Sequence, residues 1–173
     1  MITFIPRFFK MKKRIYIMRH GKAEVGYGKS DFERDLMPKG IKKTRKVADF
    51  LSSKKIRPEQ VMVSMAHRTL QTADIVKETL SLASSILIEE KGLYLASINS
   101  ILNEIYGVDN AVKELMLIGH NPGLSSLATY LCKQEIDWMP TSAIVGIELE
   151  LEHWNEIPSA KGKLLFYVKP ADL

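Results

Sequence analysis

Arg19-His20-Gly21 closes a short apolar run, and Gly119-His120-Asn121-Pro122-Gly123 closes another far downstream. Between them, Ser64 ends a third apolar run and Arg68 follows at the start of a helical pattern. These residue types suit an anion built like phosphate. A guanidinium is a planar, permanently charged fork that can grip two oxygens at once. Helix N-termini add backbone donors and a favourable dipole, and Gly21 and Gly123 let backbone approach a ligand closely. A neutral imidazole, with an ordinary pKa of about 6.5, can attack phosphorus near neutral pH. A second imidazole can hydrogen-bond to the charge that builds up in the transition state. Each motif alone has a plainer reading: a chance tripeptide, or a turn in which His120 satisfies local backbone. Their joint placement after apolar runs points to one pocket.

The elements that must position these groups are legible as alternating patterns. Residues 15–18, 61–63, 86–88 and 115–118 read as buried strands. Between them Ile41, Thr44, Ala48 and Leu51 share one helical face, as do Leu70, Ala73, Val76 and Leu80. Ile98, Ile101 and Ile105, then Leu124, Leu127 and Leu131, repeat the pattern. Such alternation predicts an α/β fold with a mainly parallel central sheet and helices on both faces. Ligands of open parallel sheets bind outside the carboxyl ends of the strands, so three loops can gather two histidines and two arginines. The end of the chain differs. Ile147, Leu149 and Leu151 alternate with Glu148, Glu150 and Glu152, and a polar connection with Pro158 and Gly162 leads to residues 164–168. This predicts two late strands forming a hairpin at a sheet edge.

With 173 residues, 46% of them hydrophobic, the chain suits one globular domain with a full core. The net charge of +5 is compatible with nucleic acid or with a small anionic substrate. Lysines and arginines are spread along the chain, the densest stretch, 39–46, reads as one polar helix face, and no aromatic-basic motif appears; no nucleic-acid partner is expected. A lone cysteine, Cys132, excludes an internal disulfide framework and makes a reducing, cytoplasmic setting the expectation. No apolar run approaches the roughly 20 residues of a membrane span, so no membrane partner is expected either. Residues 1–11 read as a poorly ordered extension ahead of a domain spanning 12–173. They lack the long apolar core and small-residue cleavage site of a signal peptide.

The run Ile15-Tyr16-Ile17-Met18-Arg19-His20-Gly21 resembles the first-strand signature of the histidine phosphatase, or phosphoglycerate mutase-like, superfamily. Residues 64–73, from Ser64 through Arg68 to Thr72 and Ala73, resemble its second block, and residues 119–124 its third. Asp31-Phe32-Glu33-Arg34-Asp35-Leu36, with Pro38 and Gly40, resembles a segment of the small SixA-like branch of phosphohistidine phosphatases, and Thr141-Ser142-Ala143-Ile144 resembles the start of its late strand. The resemblance implies a three-layer α/β sandwich in which His20 is a nucleophile that becomes transiently phosphorylated. Arg19, Arg68 and His120 then complete the phosphate pocket, with Gly21, Ser64, Asn121, Thr141 and Ser142 as further substrate contacts. It implies a phosphate-bearing substrate, a phosphohistidine protein among the options, and neither metal nor cofactor; nor do carboxylates or histidines cluster at metal-ligand spacing. Two positions depart from the pattern: Met65 stands where proline is usual, and His67 is an additional histidine, either lining the pocket mouth or, as the favoured expectation, sitting exposed on the first helical turn. His153 lies beside Trp154 in a late polar stretch and is expected to be structural or exposed.

An ester substrate needs a proton for its leaving alkoxide. The candidates are Glu24, Asp31, Glu89 and Glu90, none of them in a motif that assigns the role. Glu89 and Glu90 are expected to follow the third strand, at a rim position or as solvated surface charge. Asp31 and Arg34 either form an ion pair at the pocket mouth or simply order the loop. A phosphorylated histidine leaves as an imidazole, which takes a proton near neutral pH without strong acid help. A missing acid therefore favours phosphohistidine or a similarly activated phosphate. An ester phosphatase, a mutase and a phosphate-binding module with little turnover are the competing readings.

Overall fold

The structure, a computed structural model, describes residues 11–173. The expected disorder of the N-terminal extension concerns residues outside that range, apart from Met11. Strand β1 (Lys12–Arg19) leads through a long connection to helix α1 (Pro38–Ser53), then β2 (Gln60–Ser64), α2 (His67–Leu80) and β3 (Leu87–Glu90). Next come α3 (Ile98–Tyr106), β4 (Glu114–Gly119) and α4 (Gly123–Cys132), and finally β5 (Ile144–Glu150) and β6 (Gly162–Val168). Among the described residues, no helix is long and apolar enough to cross a membrane.

The six strands lie in the order β3-β2-β4-β1-β5-β6. The pairs β3–β2, β2–β4 and β4–β1 are parallel, whereas β5 runs antiparallel to both β1 and β6. The mainly parallel sheet is as expected, but only β6 of the late hairpin forms an edge. β5 is an interior strand, hydrogen-bonded along its length to β1, and Ile144, Val145, Ile147 and Leu149 are fully buried. The Glu alternation described only its far half, because Gly146 lies beneath the Phe166 ring, where a Cβ would collide.

Alternate residues of each central strand point to opposite faces. Ile15, Ile17, Leu115 and Leu117 join Ile101, Ile105, Leu124 and Leu127 in one core. Tyr16, Met18, Met116 and Ile118 join Val47, Leu51, Ala73 and Val76 in the other. Double burial explains why these strands read as unbroken apolar runs. On α1 the buried stripe is Gly40, Thr44, Val47, Ala48 and Leu51. Ile41, expected on that face, lies beside it and is largely exposed.

The β1 strand is held at both ends. At its start Lys13 is fully buried. Its ammonium donates to the carbonyls of Asn110 and Val112 and lies 5.1 Å from the Trp154 ring centroid. At its finish, the His20 N–H donates to the Gly119 carbonyl (3.1 Å) and the Ser142 N–H to the carbonyls of Arg19 and His20 (3.2 and 3.1 Å). Beyond His20, the chain crosses the start of α1, where Pro38 occupies the first turn with its φ already helical. Gly40 permits that crossing, since a Cβ there would overlap the Lys22 backbone. Gly40→Ala is expected to cost about 1–3 kcal/mol, typical of overpacking. Gly107→Ala, where a Cβ meets only an ordinary contact with the Glu104 carbonyl, should cost clearly less. Urea midpoints of the two variants check the difference.

Candidate active site

The helix after β1 packs on one face of the sheet and the helix after β4 on the other. The two strands are parallel neighbours, so their carboxyl ends open a crevice between diverging chains. There lies a cavity of about 260 Å3, lined by Arg19, His20, Lys22, Ala23, Asp31, Arg34, Arg68, Leu95, His120, Asn121 and Thr141. Four of these are permanent cations and one, Asp31, is a carboxylate, an imbalance that suits an anion.

His20 lies at the floor, 9% exposed. Its Nδ1 is 2.7 Å from the Gly21 carbonyl oxygen. A carbonyl only accepts, so Nδ1 carries the hydrogen and Nε2 keeps a free lone pair. His120 is 5.1 Å away, ring centre to ring centre. Its Nδ1 faces Arg68 Nη2 at 3.3 Å, and its Nε2 is 2.8 Å from Ser64 Oγ. Because Arg68 can only donate, neutral His120 accepts at Nδ1 and donates from Nε2 to Ser64.

Arg68 is 3% exposed at the first turn of α2. One of its nitrogens donates to the Asp31 carbonyl and another to Asp31 Oδ2 (2.9 Å). Arg34 and the Tyr94 hydroxyl also donate to the Asp31 carboxylate, at 2.7 and 2.8 Å. Arg19 donates from Nη1 to the Met139 carbonyl (2.8 Å), and its guanidinium carbon lies 5.6 Å from the centroid of the Trp138 ring. Among the described residues its Nε is buried with no partner, a donor without an acceptor beside the crevice.

Burial in this cationic setting decides the protonation states. It pushes the His20 pKa down to about 4, against a smaller opposite pull from the Gly21 carbonyl and with help from the charges of Arg68 and Arg19. Burial likewise pushes His120 down to about 3, reinforced by His20 and Arg68. Partial burial pushes Asp31 up, but hydrogen bonds from Tyr94 and Arg34 and the charge of Arg68 outweigh it and hold the carboxyl at about 2.

Several residues expected to touch substrate stand one layer behind it. Ser64 holds His120. Ser142 faces Thr44, oxygen to oxygen at 2.9 Å. The Gly21 N–H is committed to Thr72 Oγ1 (3.0 Å), and a Cβ on Gly21 would collide with Thr44. Asn121 borders the cavity, but its amide is committed to the Met139 carbonyl and to Ser125 Oγ, each at 3.0 Å. Glu24 pairs with Lys29 outside the cavity. Glu89 and Glu90 belong to β3 rather than following it, and neither lines the cavity. Glu90 is turned toward Glu104, and burial followed by that neighbour pushes its pKa up. His67 is exposed and 3.3 Å from Asp35, and His153 is exposed ahead of Trp154. Sequence reading missed Lys22, Leu95 and Tyr94. Lys22 directly follows the first motif and was open to notice, whereas Leu95 and Tyr94 lie in no motif. Among the described residues, no three His, Cys, Asp or Glu side chains are placed to hold a metal ion.

Fold and crevice together define a protein of the phosphoglycerate mutase-like α/β class. Residues 15–92 match the profile described as Histidine phosphatase superfamily (branch 1). Phosphohistidine phosphatase SixA of Escherichia coli (strain K12) is 33% identical over 145 residues, covering 79% of this chain and 86% of that protein. The solved structure of the protein histidine phosphatase SixA complexed with tungstate superposes with a TM-score of 0.79 at 28% identity, covering 92% of this chain and 98% of the other. A second structure, of a putative phosphohistidine phosphatase SixA from Agrobacterium tumefaciens, shares the fold with a TM-score of 0.79 at 22% identity, covering 91% and 98%. The chain belongs to the histidine phosphatase superfamily.

The neutral imidazoles make a measurable prediction. In the free protein, NMR titration of the His20 and His120 rings should give midpoints near 4 and 3. Both should rise when vanadate or tungstate enters, because an anion favours the cationic ring. Midpoints near the ordinary 6.5 would contradict the buried, cation-flanked setting. The unfolded chain binds these protons at higher pH than the folded one. Stability should therefore fall as pH drops from about 6.5 toward the folded midpoints.

Proposed function

We propose that this chain is a phosphatase acting on phosphohistidine, with His20 as the nucleophile. The observation that carries the substrate choice is the state of Asp31, the one carboxylate among the described residues lining the cavity. Held at about 2 and already accepting from Arg68, Arg34 and Tyr94, it has no proton to give near neutral pH. An alkoxide leaving group would depart unaided, whereas an imidazole takes up a proton readily and leaves neutral.

In the first step the His20 Nε2 lone pair attacks phosphorus. The P–N bond of the substrate breaks, and its electron pair goes to the departing imidazole nitrogen, which takes a proton from solvent water; the attacking water of the second step returns a proton to solvent. In the second step water attacks phosphorus, the P–Nε2 bond breaks, and phosphate leaves with the water oxygen while His20 regains its lone pair. Arg19 and Arg68 supply donors to the phosphoryl oxygens, His120 becomes a further donor when the incoming anion favours its cationic form, and Lys22 and Arg34 add charge at the mouth. Positioning and charge compensation carry most of the rate. Behind them, Ser64 fixes the His120 ring and Asp31 fixes Arg68. That the SixA relative is solved in complex with tungstate supports an oxyanion as the ligand. A cytoplasmic setting fits the single thiol, Cys132, which is only partly exposed and whose pKa burial pushes up.

His20→Ala should abolish turnover of phosphohistidine and leave no phosphorylated protein detectable by mass spectrometry, with the fold retained. Hydrolysis of an aryl phosphate by this variant at the parent rate would rule out the nucleophile. In the parent, kcat/KM for phosphohistidine should exceed that for an alkyl phosphate by roughly 10²–10⁴-fold, the usual worth of a general acid. Equal values for the two substrates would count against a P–N substrate. The acid limb of kcat/KM for phosphohistidine, where His20 governs it, should lie near 4, because the ring loses its lone pair only at that acidity.

A further inference from the structure

Met65, one of the two departures from the family pattern, does not reach the phosphoryl cavity. With Phe32, Lys91 and Tyr94 it lines a separate hollow of about 450 Å3. Tyr94 is the partition between the two. Its ring stands edge-on to His120 at 5.5 Å between centroids and 5.2 Å from the Phe32 ring, and its hydroxyl donates to Asp31. The walls are two aromatic rings and a thioether, with a single ammonium from Lys91. Backbone hydrogen bonds hold the walls in place: the His67 N–H donates to the Phe32 carbonyl (3.0 Å) and the Tyr94 N–H to the Lys91 carbonyl (3.2 Å). The hollow is thus a built, mostly apolar site at a fixed offset from the nucleophile, of the size and make-up of a ligand pocket.

We propose that this hollow is a specificity subsite for an apolar side chain of the polypeptide that carries the phosphohistidine, with a neighbouring carboxylate meeting Lys91. The proposal rests on the phosphohistidine reading above and deepens it. Free phosphohistidine has no apolar group to place there. A polypeptide does, and the spacing fits one. The rings of His120 and Phe32 are separated by no more than about 11 Å, and extended chain covers about 3.3–3.6 Å per residue. For a peptide bound in extended form, the apolar residue therefore lies within about four positions of the phosphohistidine. Methionine suits such a wall, since its flexible thioether adapts to differing side chains and packs well against aromatic rings. A carboxylate near the mouth complements the charge of Lys91.

The test uses synthetic peptides phosphorylated on one central histidine, with leucine moved through the four positions on either side of an alanine background. Phosphoramidate serves as the small substrate. With the parent, leucine in at least one position should lower KM about tenfold, consistent with partial burial of its side chain. Met65→Lys should erase that gain while phosphoramidate turnover stays within about twofold of the parent. As a second variant, Lys91→Glu should reverse the preference for glutamate over lysine beside that leucine. If leucine changes KM by less than about twofold at every position, or if its gain survives Met65→Lys, the subsite is refuted. A parent that cleaves phosphoramidate and peptides alike without leucine preference sinks the subsite alone. One that hydrolyses only aryl phosphates sinks the phosphohistidine reading, and the subsite with it.

Discussion

A buried guanidinium answered by a single carboxylate governs the crevice. Arg68 sits almost out of water at the start of α2, a placement that is costly unless its donors are met. Asp31 meets them from one side with a side-chain oxygen and a carbonyl, and His120 Nδ1 meets them from the other. That arrangement fixes the hydrogen on His120 at Nε2, and hence the need for Ser64 behind it. The same positive charge, added to burial, keeps both imidazoles neutral. A lone pair aimed into a cationic hollow is the result, and the rest of the fold holds it there.

The fold does so through strand ends. β1 and β4 are adjacent and parallel, and the helices that follow them part to opposite faces. Backbone bonds from His20 to Gly119 and from Ser142 to Arg19 and His20 stitch three segments together at the floor. The antiparallel β5 matters here. Because it pairs with β1 rather than hanging at the edge, the chain entering it passes beside His20. It thereby contributes Met139, whose carbonyl anchors both Arg19 and Asn121.

Sequence reading succeeded where one side of a residue is forced. Doubly buried strands must be apolar throughout, so residues 15–18, 61–63 and 115–118 announced themselves, and the motifs after them marked the crevice. It failed where direction is set by tertiary neighbours. Ser64 ends a strand as Arg19 does and Ser142 leads into one, yet they turn toward His120 and Thr44 instead of the hollow. Nothing in their local sequence distinguishes turning in from turning back. Glu89 and Glu90 were misplaced because β3 is a short edge strand, partly exposed along its length, and lacks the apolar contrast that marks an end. Tyr94 was invisible because its role comes from touching Asp31 and His120, which are distant in sequence.

Lys13, at the far end of β1 from His20, carries a different implication. Its amine is sealed beneath Trp154 and spent on two carbonyls, so an acylating reagent in solution can reach it only when the start of β1 parts from the loop ahead of β4. The rate at which this one lysine becomes labelled, set against the surface lysines, is therefore a built-in clock for the opening of the central sheet.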